Sequence, residues 1–207
     1  MAGLRPVVTG QPHPRFVLAS ASPARLRLLR AAGIDPEVVV SGVDETAVTA
    51  PNAALLCGAL AQAKAHAVAA DIGTALVLGC DSALDFDGQV LGKPADAAEA
   101  DRCWQQMAGR SGILHTGHCL VSTATGTSFT EASATVVRFG RPTAAELAAY
   151  IASGEPLRVA GAFTIDGLGG PFVDGIDGDP GTVVGVSLPV LRRLLALHGV
   201  PITALWN

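Results

Sequence analysis

The spacing of apolar and polar residues predicts short strands and helices that alternate from the start of the chain. Residues 15–19 form a short apolar stretch typical of a buried strand, and residues 20–23 lead from it into a helix. Ser22 has a side chain suited to an N-cap, Pro23 fits the first helical position, and Gly33 ends the helical pattern. The chain is therefore predicted to open with a strand–turn–helix unit.

The remaining pattern continues this alternation and adds a hairpin in the middle of the chain. Asp87-Gly88 is a tight-turn signal that folds the chain back through residues 89–91, and Thr125-Gly126 marks the turn of the central hairpin. The pattern predicts strands at residues 38–40, 74–80, 113–122 and 128–139, helices at residues 51–70, 96–107, 143–154 and 187–198, and short strands within residues 160–186. Together these elements predict an α/β fold with a central mixed sheet and flanking helices, rather than a purely parallel sheet.

Composition agrees with a compact protein. At 207 residues the chain can form one domain or two lobes around a shared core, and 49% hydrophobic against 15% charged residues provide a substantial interior. We expect a flexible tail at residues 1–14 and a single α/β domain at residues 15–207. No uninterrupted apolar run is long enough to span a bilayer, so we expect a soluble, cytoplasmic protein without membrane contact.

The charge balance narrows the possible functions. A net charge of −4 argues against a nucleic-acid binder, which needs a basic surface to displace counterions. It does not exclude a small polyanionic ligand, because a triphosphate needs only a few cations in a pocket or a metal ion. The four cysteines form no CxxC pair, so neither a zinc site nor a disulfide framework is expected.

The first candidate for chemistry is the turn between the first strand and the first helix. Ser20 and Ser22 contribute hydroxyl groups there, and the backbone N–H groups of the helix N-terminus point to the same place. Arg25 adds a full positive charge in the first turn. These features are typical of a phosphate site, but an ordinary capped helix with a solvated arginine has the same pattern.

Two carboxylate positions follow. Glu45 comes after Asp44 in a loop, where adjacent carboxylates either chelate a hard cation such as Mg²⁺ or serve as plain turn residues. Asp81 follows an apolar run and is placed at the carboxyl end of a core strand, the end at which open α/β sheets bind ligands. It is a candidate metal ligand or general base, with a turn-starting aspartate as the alternative.

Two lysines complete the set of candidates. Lys64 lies on the margin of the apolar stripe of its predicted helix, so it either snorkels to solvent or points along the sheet edge into a crevice. Lys93 lies between Gly92 and Pro94, and it is either a point charge for a phosphate or a solvated surface lysine. Neither lysine is decisive when taken alone.

Several segments carry a resemblance when they are taken in series. They are LASASPARLRLLRAAGI, VDET, LAQAKA, GCDSAL, LGKP, AGRSG with HTG, ASGEPLRVAGAFTIDGLGGPFV and GDPGTVVGVSLPVL, and they cover about residues 15–198. In this order they resemble the Maf family of nucleotide pyrophosphatases. The resemblance implies a fold like that of the inosine-triphosphate pyrophosphatases, with a cleft between two lobes, and commonly a homodimer. It also implies cleavage of the α–β phosphoanhydride of a nucleoside triphosphate with a divalent cation, Mg or Mn.

The resemblance further implies roles for individual residues. Asp81 looks like the proton acceptor that activates water, and Glu45 and Asp81 look like the metal ligands. The residues implied to hold the triphosphate are Ser20, Ser22, Arg25, Lys64 and Lys93, of which the two lysines belong with Asp81 to the catalytic set. This assignment is chemically consistent, because attack at the α-phosphorus needs an ionised base, a metal to screen the oxyanions, and cations on the leaving pyrophosphate.

Three positions depart from the family pattern. Ala24 stands where the family usually has an arginine, Ser82 where it has a threonine, and Asp166 where members acting on thymidine or uridine triphosphate have a glutamine. The family varies these positions when its nucleobase preference changes, so a pyrimidine preference does not carry over. An ionised Asp166 accepts hydrogen bonds but cannot donate them, which favours a base that presents N–H groups, or else metal binding.

Two other functions stay open at the level of sequence. One is a nucleotide-binding regulator of cell division that acts through a partner protein with little hydrolysis. The other is a phosphatase that releases orthophosphate. The preferred nucleobase, the metal and the oligomeric state do not follow from the residues.

Overall fold

A seven-stranded mixed sheet forms the centre of the protein in a computed structural model that describes residues 14–207. The strands are β1 (Phe16–Leu18), β2 (Glu37–Val38), β3 (Leu76–Phe86), β4 (Gln89–Leu91), β5 (Ser111–Ser122), β6 (Ser128–Phe139) and β7 (Val173–Asp177). The helices are α1 (Pro23–Ala31), α2 (Ala53–Ala69), α3 (Ala97–Met107), α4 (Ala144–Ala152), α5 (Pro180–Val184) and α6 (Leu188–Leu197). Short 3-10 helices lie at Glu45–Ala47, Pro156–Arg158, Ala160–Ala162, Gly170–Phe172 and Ile202–Leu205. The tail predicted at residues 1–14 lies outside the described residues, apart from its last position.

The strand order is β2-β1-β3-β5-β6-β7, with β4 paired to β3. β1 runs parallel to β2 and β3, whereas β3 pairs antiparallel with β4 and β5, and β5, β6 and β7 continue antiparallel. The long central hairpin predicted from the sequence is β5 and β6. The predicted α/β fold, with a central mixed sheet and flanking helices, is confirmed.

Both faces of the sheet are buried where β1 meets the first half of β3. Phe16 and Leu18 belong to a core cluster with residues of α1 and α6, while Val17 packs with residues of α2 on the opposite face. Successive residues of a strand alternate between faces, so covering both faces requires a continuous apolar run. This continuous apolar run is the reason that the sequence predicted this part of the sheet.

A second hydrophobic core lies at the other end of the long strands, around Trp104 of α3. Leu84 and Phe86, from the second half of β3, belong to this core, and the Trp104 indole N–H donates to the carbonyl of Ala162 at 2.8 Å. Asp81 belongs to neither cluster and lies on β3 between the residues that supply the two cores. The polar stretch of β3 therefore lies between these two cores.

The strand that contains Asp81 is longer than predicted. The sequence pattern ended it at residue 80, yet β3 continues to Phe86. A polar stretch between two separate cores looks like a strand end in the sequence, although the backbone stays paired with β5 throughout. Asp81 therefore lies within a strand, and the strand that ends beside it is β1, whose Leu18 pairs with Leu78.

The segment at residues 160–186 also differs from the prediction of several short strands. It contains one strand, β7, together with two 3-10 helices and α5. Its glycines and aspartates make turns and caps; for example, the Asp179 side chain accepts from the backbone N–H of Gly181 where α5 begins. None of the helices within residues 14–207 is long and apolar enough to cross a membrane.

Two glycines allow α2 to pack directly on the sheet. A Cβ atom added to Gly79 of β3 would lie 2.2 Å from the Ala61 carbonyl oxygen, and one added to Gly117 of β5 would lie 2.2 Å from the Cys57 carbonyl oxygen. Real side chains essentially never approach a backbone atom so closely. Since α2 carries Lys64, these glycines set the distance between that lysine and the sheet.

Gly117→Ala is therefore expected to lower the free energy of unfolding by about 2 kcal/mol or more, because α2 must move away from the sheet. Urea denaturation measures the change. Gly58→Ala is the matched control, since Gly58 lies in α2 and its added Cβ would meet only Thr130 Cγ2 at 3.8 Å. That control should be neutral or stabilising by up to about 1 kcal/mol, because alanine favours a helix over glycine. Equal stability of the two variants would contradict this account of the packing.

Candidate active site

A cleft of about 1060 Å³ opens beside Asp81 and Ser82 of β3. It is lined by all ten residues that the sequence singled out: Ser20, Ser22, Ala24, Arg25, Glu45, Lys64, Asp81, Ser82, Lys93 and Asp166. These residues come from α1, α2, β3 and four connecting segments, and they span almost 150 positions of the chain. The structure therefore brings the candidates together in one cleft, where some are buried and bound to other residues and some are exposed.

The turn from β1 into α1 forms one wall. Ser22 is the N-cap of α1, and its hydroxyl accepts from the backbone N–H of Arg25 at 3.4 Å. The Ser20 hydroxyl accepts from the backbone N–H of Ser22 at 3.2 Å. The predicted cap and first helical position are confirmed, and the N-terminal end of α1, with its partial positive charge, faces the cleft.

Arg25 is held tightly from several sides. Its side chain is buried, and four of its five N–H groups donate within the protein. The acceptors are the Gly185 carbonyl at 2.9 Å, the Ser20 hydroxyl at 2.9 Å, the Cys80 carbonyl at 2.9 Å and the Ser82 hydroxyl at 3.1 Å. Arg25 therefore places a fixed positive charge beneath the cleft, and the solvated-arginine alternative is wrong.

Gly185 is required for this arrangement. Its φ of 111° lies in the left-handed region, and an added Cβ would come within 2.8 Å of the Arg25 Nε atom. Gly185 ends α5 and is 160 residues away from Arg25 in the sequence. No local pattern in the sequence could have connected the two.

Lys64 lies at the centre of the carboxylate site. Its Nζ atom is 2.6 Å from Asp81 Oδ1 and 2.6 Å from Glu45 Oε1. The side chains of Lys64 and Asp81 are only 9% and 11% exposed, whereas Glu45 is 47% exposed. Of the two orientations that the sequence left open for Lys64, the structure shows the one that points into the crevice.

Glu45 reaches Lys64 because its neighbour fixes the turn. The Asp44 side chain caps the 3-10 helix at Glu45–Ala47 and accepts from the backbone N–H and the hydroxyl of Thr46, at 3.0 and 2.7 Å. These hydrogen bonds lower the pKa of Asp44. The two adjacent carboxylates thus have separate parts, since Asp44 orders the loop and Glu45 extends into the cleft.

The pKa values of the two carboxylates that contact Lys64 are shifted in opposite directions. Burial raises the pKa of Asp81 above its usual value, although the charges of Lys64 and Arg25 oppose this effect. Burial also acts to raise the pKa of Glu45, but the Lys64 hydrogen bond, together with the charges of Lys64, Lys93 and Arg25, outweighs it, so the pKa of Glu45 is lowered. The surroundings therefore make Asp81 more basic than an ordinary aspartate and Glu45 less basic than an ordinary glutamate.

Lys93 lies on an exposed loop at the cleft. The preceding Gly92 carbonyl accepts from the backbone N–H of Gly161 at 3.0 Å, which ties this loop to the segment that contains Arg158. Lys93 and Arg158 are both exposed and both line the cleft. They are the cations most accessible to a ligand on this wall.

The three positions that depart from the family pattern all line the cleft. Ser82 accepts from Arg25 and lies 2.9 Å from the Thr116 hydroxyl, which itself donates to the Thr182 carbonyl at 2.7 Å. Because the single Thr116 proton is used in that bond, Ser82 donates its own proton to Thr116. Ser82 consequently has only an acceptor lone pair left for a ligand.

Sequence reasoning missed several residues of the cleft. Arg27 pairs with Asp166, with 3.1 Å between Nη2 and Oδ2, and the Glu155 carboxylate holds the loop that contains Asp166 by accepting from the backbone N–H groups of Leu168 and Gly169, both at 3.1 Å. The spacing of three between Ala24 and Arg27 places both on one helix face, and this signal was available in the sequence. For Arg158, which also lines the cleft, no comparable signal exists.

Glu45 and Asp81 are the residues that could hold a metal ion. They direct carboxylate oxygens at one shared point, now occupied by the Lys64 ammonium group. Within residues 14–207 no group of three or more His, Cys, Asp and Glu side chains is arranged to hold a metal by itself. Two carboxylates suit the binding mode in which Mg²⁺ is also held by substrate phosphates and water.

Fold and cleft together define an α/β protein in which carboxylates and cations share one site, a combination suited to ligands that carry phosphates. Residues 15–198 match the family described as Maf-like protein, and the chain belongs to this family.

Curated relatives cover nearly the whole chain. A protein of Streptomyces coelicolor named nucleoside triphosphate pyrophosphatase is 64% identical over 201 residues, which are 96% of this chain and 98% of the relative. A protein of the same name from Streptomyces avermitilis is 60% identical, over 97% of this chain and 98% of the relative. A solved structure of a HAM1 protein from Coxiella burnetii aligns at 15% identity with a TM-score of 0.39, covering 61% of this chain and 73% of that one.

Proposed function

We propose that this protein hydrolyses nucleoside triphosphates to nucleoside monophosphates and pyrophosphate. The observation that carries the proposal is the buried contact of Asp81 with Lys64 in the cleft of a Maf-like protein. The names of the relatives support the same reaction. We also propose that the protein acts in the cytoplasm and that it forms a homodimer. Sedimentation would test the oligomeric state.

Asp81 acts as the proton acceptor in this mechanism. A water molecule attacks the α-phosphorus, its proton passes to an Asp81 carboxylate oxygen, and the bond between the α-phosphorus and the bridging oxygen breaks to release pyrophosphate. Burial raises the pKa of Asp81 and so makes it a stronger base, while the Lys64 ammonium at 2.6 Å favours the ionised form that the reaction needs. Lys64 also fixes which carboxylate oxygen faces the cleft.

The charge of the triphosphate is met by groups on both walls. On one wall the hydroxyls of Ser20 and Ser22 and the N-terminus of α1 bind phosphate oxygens, above the fixed charge of Arg25. On the other wall Lys93 stabilises the negative charge that develops on the leaving pyrophosphate. The charge of Arg25 does not have to be assembled during the reaction, because the fold already holds its guanidinium group in place.

A divalent cation, Mg²⁺ or Mn²⁺, is part of the proposal. Glu45 and Asp81 would hold it, through carboxylate oxygens other than the two that contact Lys64. When bound, it would neutralise charge on the phosphate oxygens.

A panel of nucleoside triphosphates, including modified bases, tests the proposal with Mg²⁺ and with Mn²⁺. We expect pyrophosphate as the product, with a rate that depends on the metal. Orthophosphate as the product would overturn the proposal in favour of a phosphatase. Measurable nucleotide binding without turnover would overturn it in favour of a regulator. The ranking of bases identifies the preferred substrate.

A further inference from the structure

An exposed ion pair joins two separate parts of the cleft wall. Arg27 lies on α1, and Asp166 lies in the loop after Phe163, 139 residues away in the sequence. The two charged atoms are 3.1 Å apart, and both residues line the cleft. The pair therefore lies on the cleft wall and is accessible to solvent, with side chains 64% and 31% exposed.

Arg27 lies on the same face of α1 as the phosphate-binding turn. It comes three residues after Ala24, which also lines the cleft, and helical side chains tilt toward the N-terminus of their helix. Ala24 carries only a methyl group, so no larger side chain at that position separates Arg27 from the first turn. Rotation about the side-chain bonds of Arg27 would direct its guanidinium group toward the N-terminus of α1.

The contact with Asp166 is weak enough to be exchanged. An exposed ion pair contributes little to stability in water, and this one holds Arg27 through one nitrogen atom. A phosphate group offers the guanidinium two parallel hydrogen bonds and a larger negative charge. Arg25 is not available for such an exchange, since it is buried and bound from four sides.

We infer that Arg27 is a further substrate-binding residue, which leaves Asp166 and binds the terminal phosphate of the triphosphate. This inference rests on the proposed function. The pair acts as a latch, because Asp166 neutralises Arg27 in the free protein and competes with the phosphate for it. The terminal phosphate leaves the site as part of the pyrophosphate product. Once pyrophosphate has left, Arg27 pairs with Asp166 again.

The test compares Arg27→Gln, Asp166→Asn and the double variant with the wild type, using inorganic tripolyphosphate and a nucleoside monophosphate as probes. Arg30→Gln is the matched control, since Arg30 lies on the same helix in an exposed pair with Asp35 and does not line the cleft. Dissociation constants come from titration calorimetry, and KM and kcat from pyrophosphate release.

Arg27→Gln is expected to weaken tripolyphosphate binding roughly fivefold to tenfold and to raise KM by a similar factor, with kcat changed less than about threefold. The dissociation constant of the monophosphate should stay within about twofold. Asp166→Asn should strengthen tripolyphosphate binding about twofold to fivefold, because the competing carboxylate charge is gone. The double variant should resemble Arg27→Gln alone.

Three outcomes would overturn the inference: unchanged tripolyphosphate binding in Arg27→Gln, an equal loss in Arg30→Gln, or an Asp166→Asn effect that persists without Arg27. Measurements on the wild-type protein distinguish a failure of the proposed function from a failure of this inference. If the wild type releases no pyrophosphate, the proposed reaction is wrong, while the tripolyphosphate measurements still decide whether Arg27 binds polyphosphate.

Discussion

Asp81→Asn is expected to lower kcat for pyrophosphate release by about a thousandfold, because a general base contributes roughly a hundredfold to ten-thousandfold. The amide has the same shape and can still accept from Lys64, but it carries no charge and cannot take the proton from water. Without a divalent cation, the nucleotide should bind as tightly as before or more tightly, since a negative charge is removed near the phosphates. Steady-state kinetics and calorimetric binding measure the two effects separately.

Asp85→Asn is the matched control for this variant. Asp85 lies four residues further along β3, outside the residues that line the cleft, and its side-chain oxygen accepts from the backbone N–H of Gly88 at 2.9 Å, a bond that an amide oxygen retains. Its kcat should stay within about twofold of the wild type. If Asp81→Asn kept a tenth or more of the turnover, another group would have to be the proton acceptor.

Lys64→Met is expected to lower the free energy of unfolding by about 3 kcal/mol at pH 8, because it leaves the buried Asp81 carboxylate without its closest cation. Activity should also fall, since Lys64 favours the ionised form of Asp81. Urea denaturation at several pH values measures the stability change. Lys93→Met is the stability control, because Lys93 is exposed and its removal should change stability by less than about 0.5 kcal/mol.

The direction in which the stability loss of Lys64→Met changes with pH follows from the pKa of Asp81. Burial raises the pKa of Asp81, and without the Lys64 ammonium the pKa rises further. A raised pKa in the folded state means that the stability contribution of the group is complete below the unfolded-state pKa and is lost as the pH rises through the folded-state pKa. The loss of stability should therefore be smaller at pH 5 than at pH 8. A loss that does not depend on pH would show that packing, rather than the uncompensated carboxylate, causes it.

Local features of the fold were predictable because short-range interactions produce them. The caps at Ser22, Thr143 and Ser187 each use a side chain that bonds a backbone N–H within three residues, so the sequence shows both partners together. Asp87-Gly88 forms the turn between β3 and β4 because both residues adopt positive φ values, of 53° and 78°. Such signals do not depend on the rest of the chain.

The extent of β3 was not predictable in the same way. The sequence shows an apolar run followed by Asp81, and this pattern is identical whether the strand stops or passes from one core to another. Only the antiparallel pairing with β5, which continues from Leu76 to Asp85, keeps the backbone extended through the polar stretch. That pairing depends on residues that lie 28 to 46 positions away in the chain.

By itself, the sequence determined the class of fold, the family resemblance and ten of the residues that line the cleft. Only the tertiary structure decided what those residues contact: Lys64 lies between Glu45 and Asp81, and Arg25 is bound by the carbonyl of Gly185. The physical reason is the distance along the chain over which each kind of interaction acts. Propensities, caps and apolar periodicity act over a few neighbouring residues, whereas the charge and hydrogen-bonding state of a buried group depends on atoms that the folded chain brings together from distant positions.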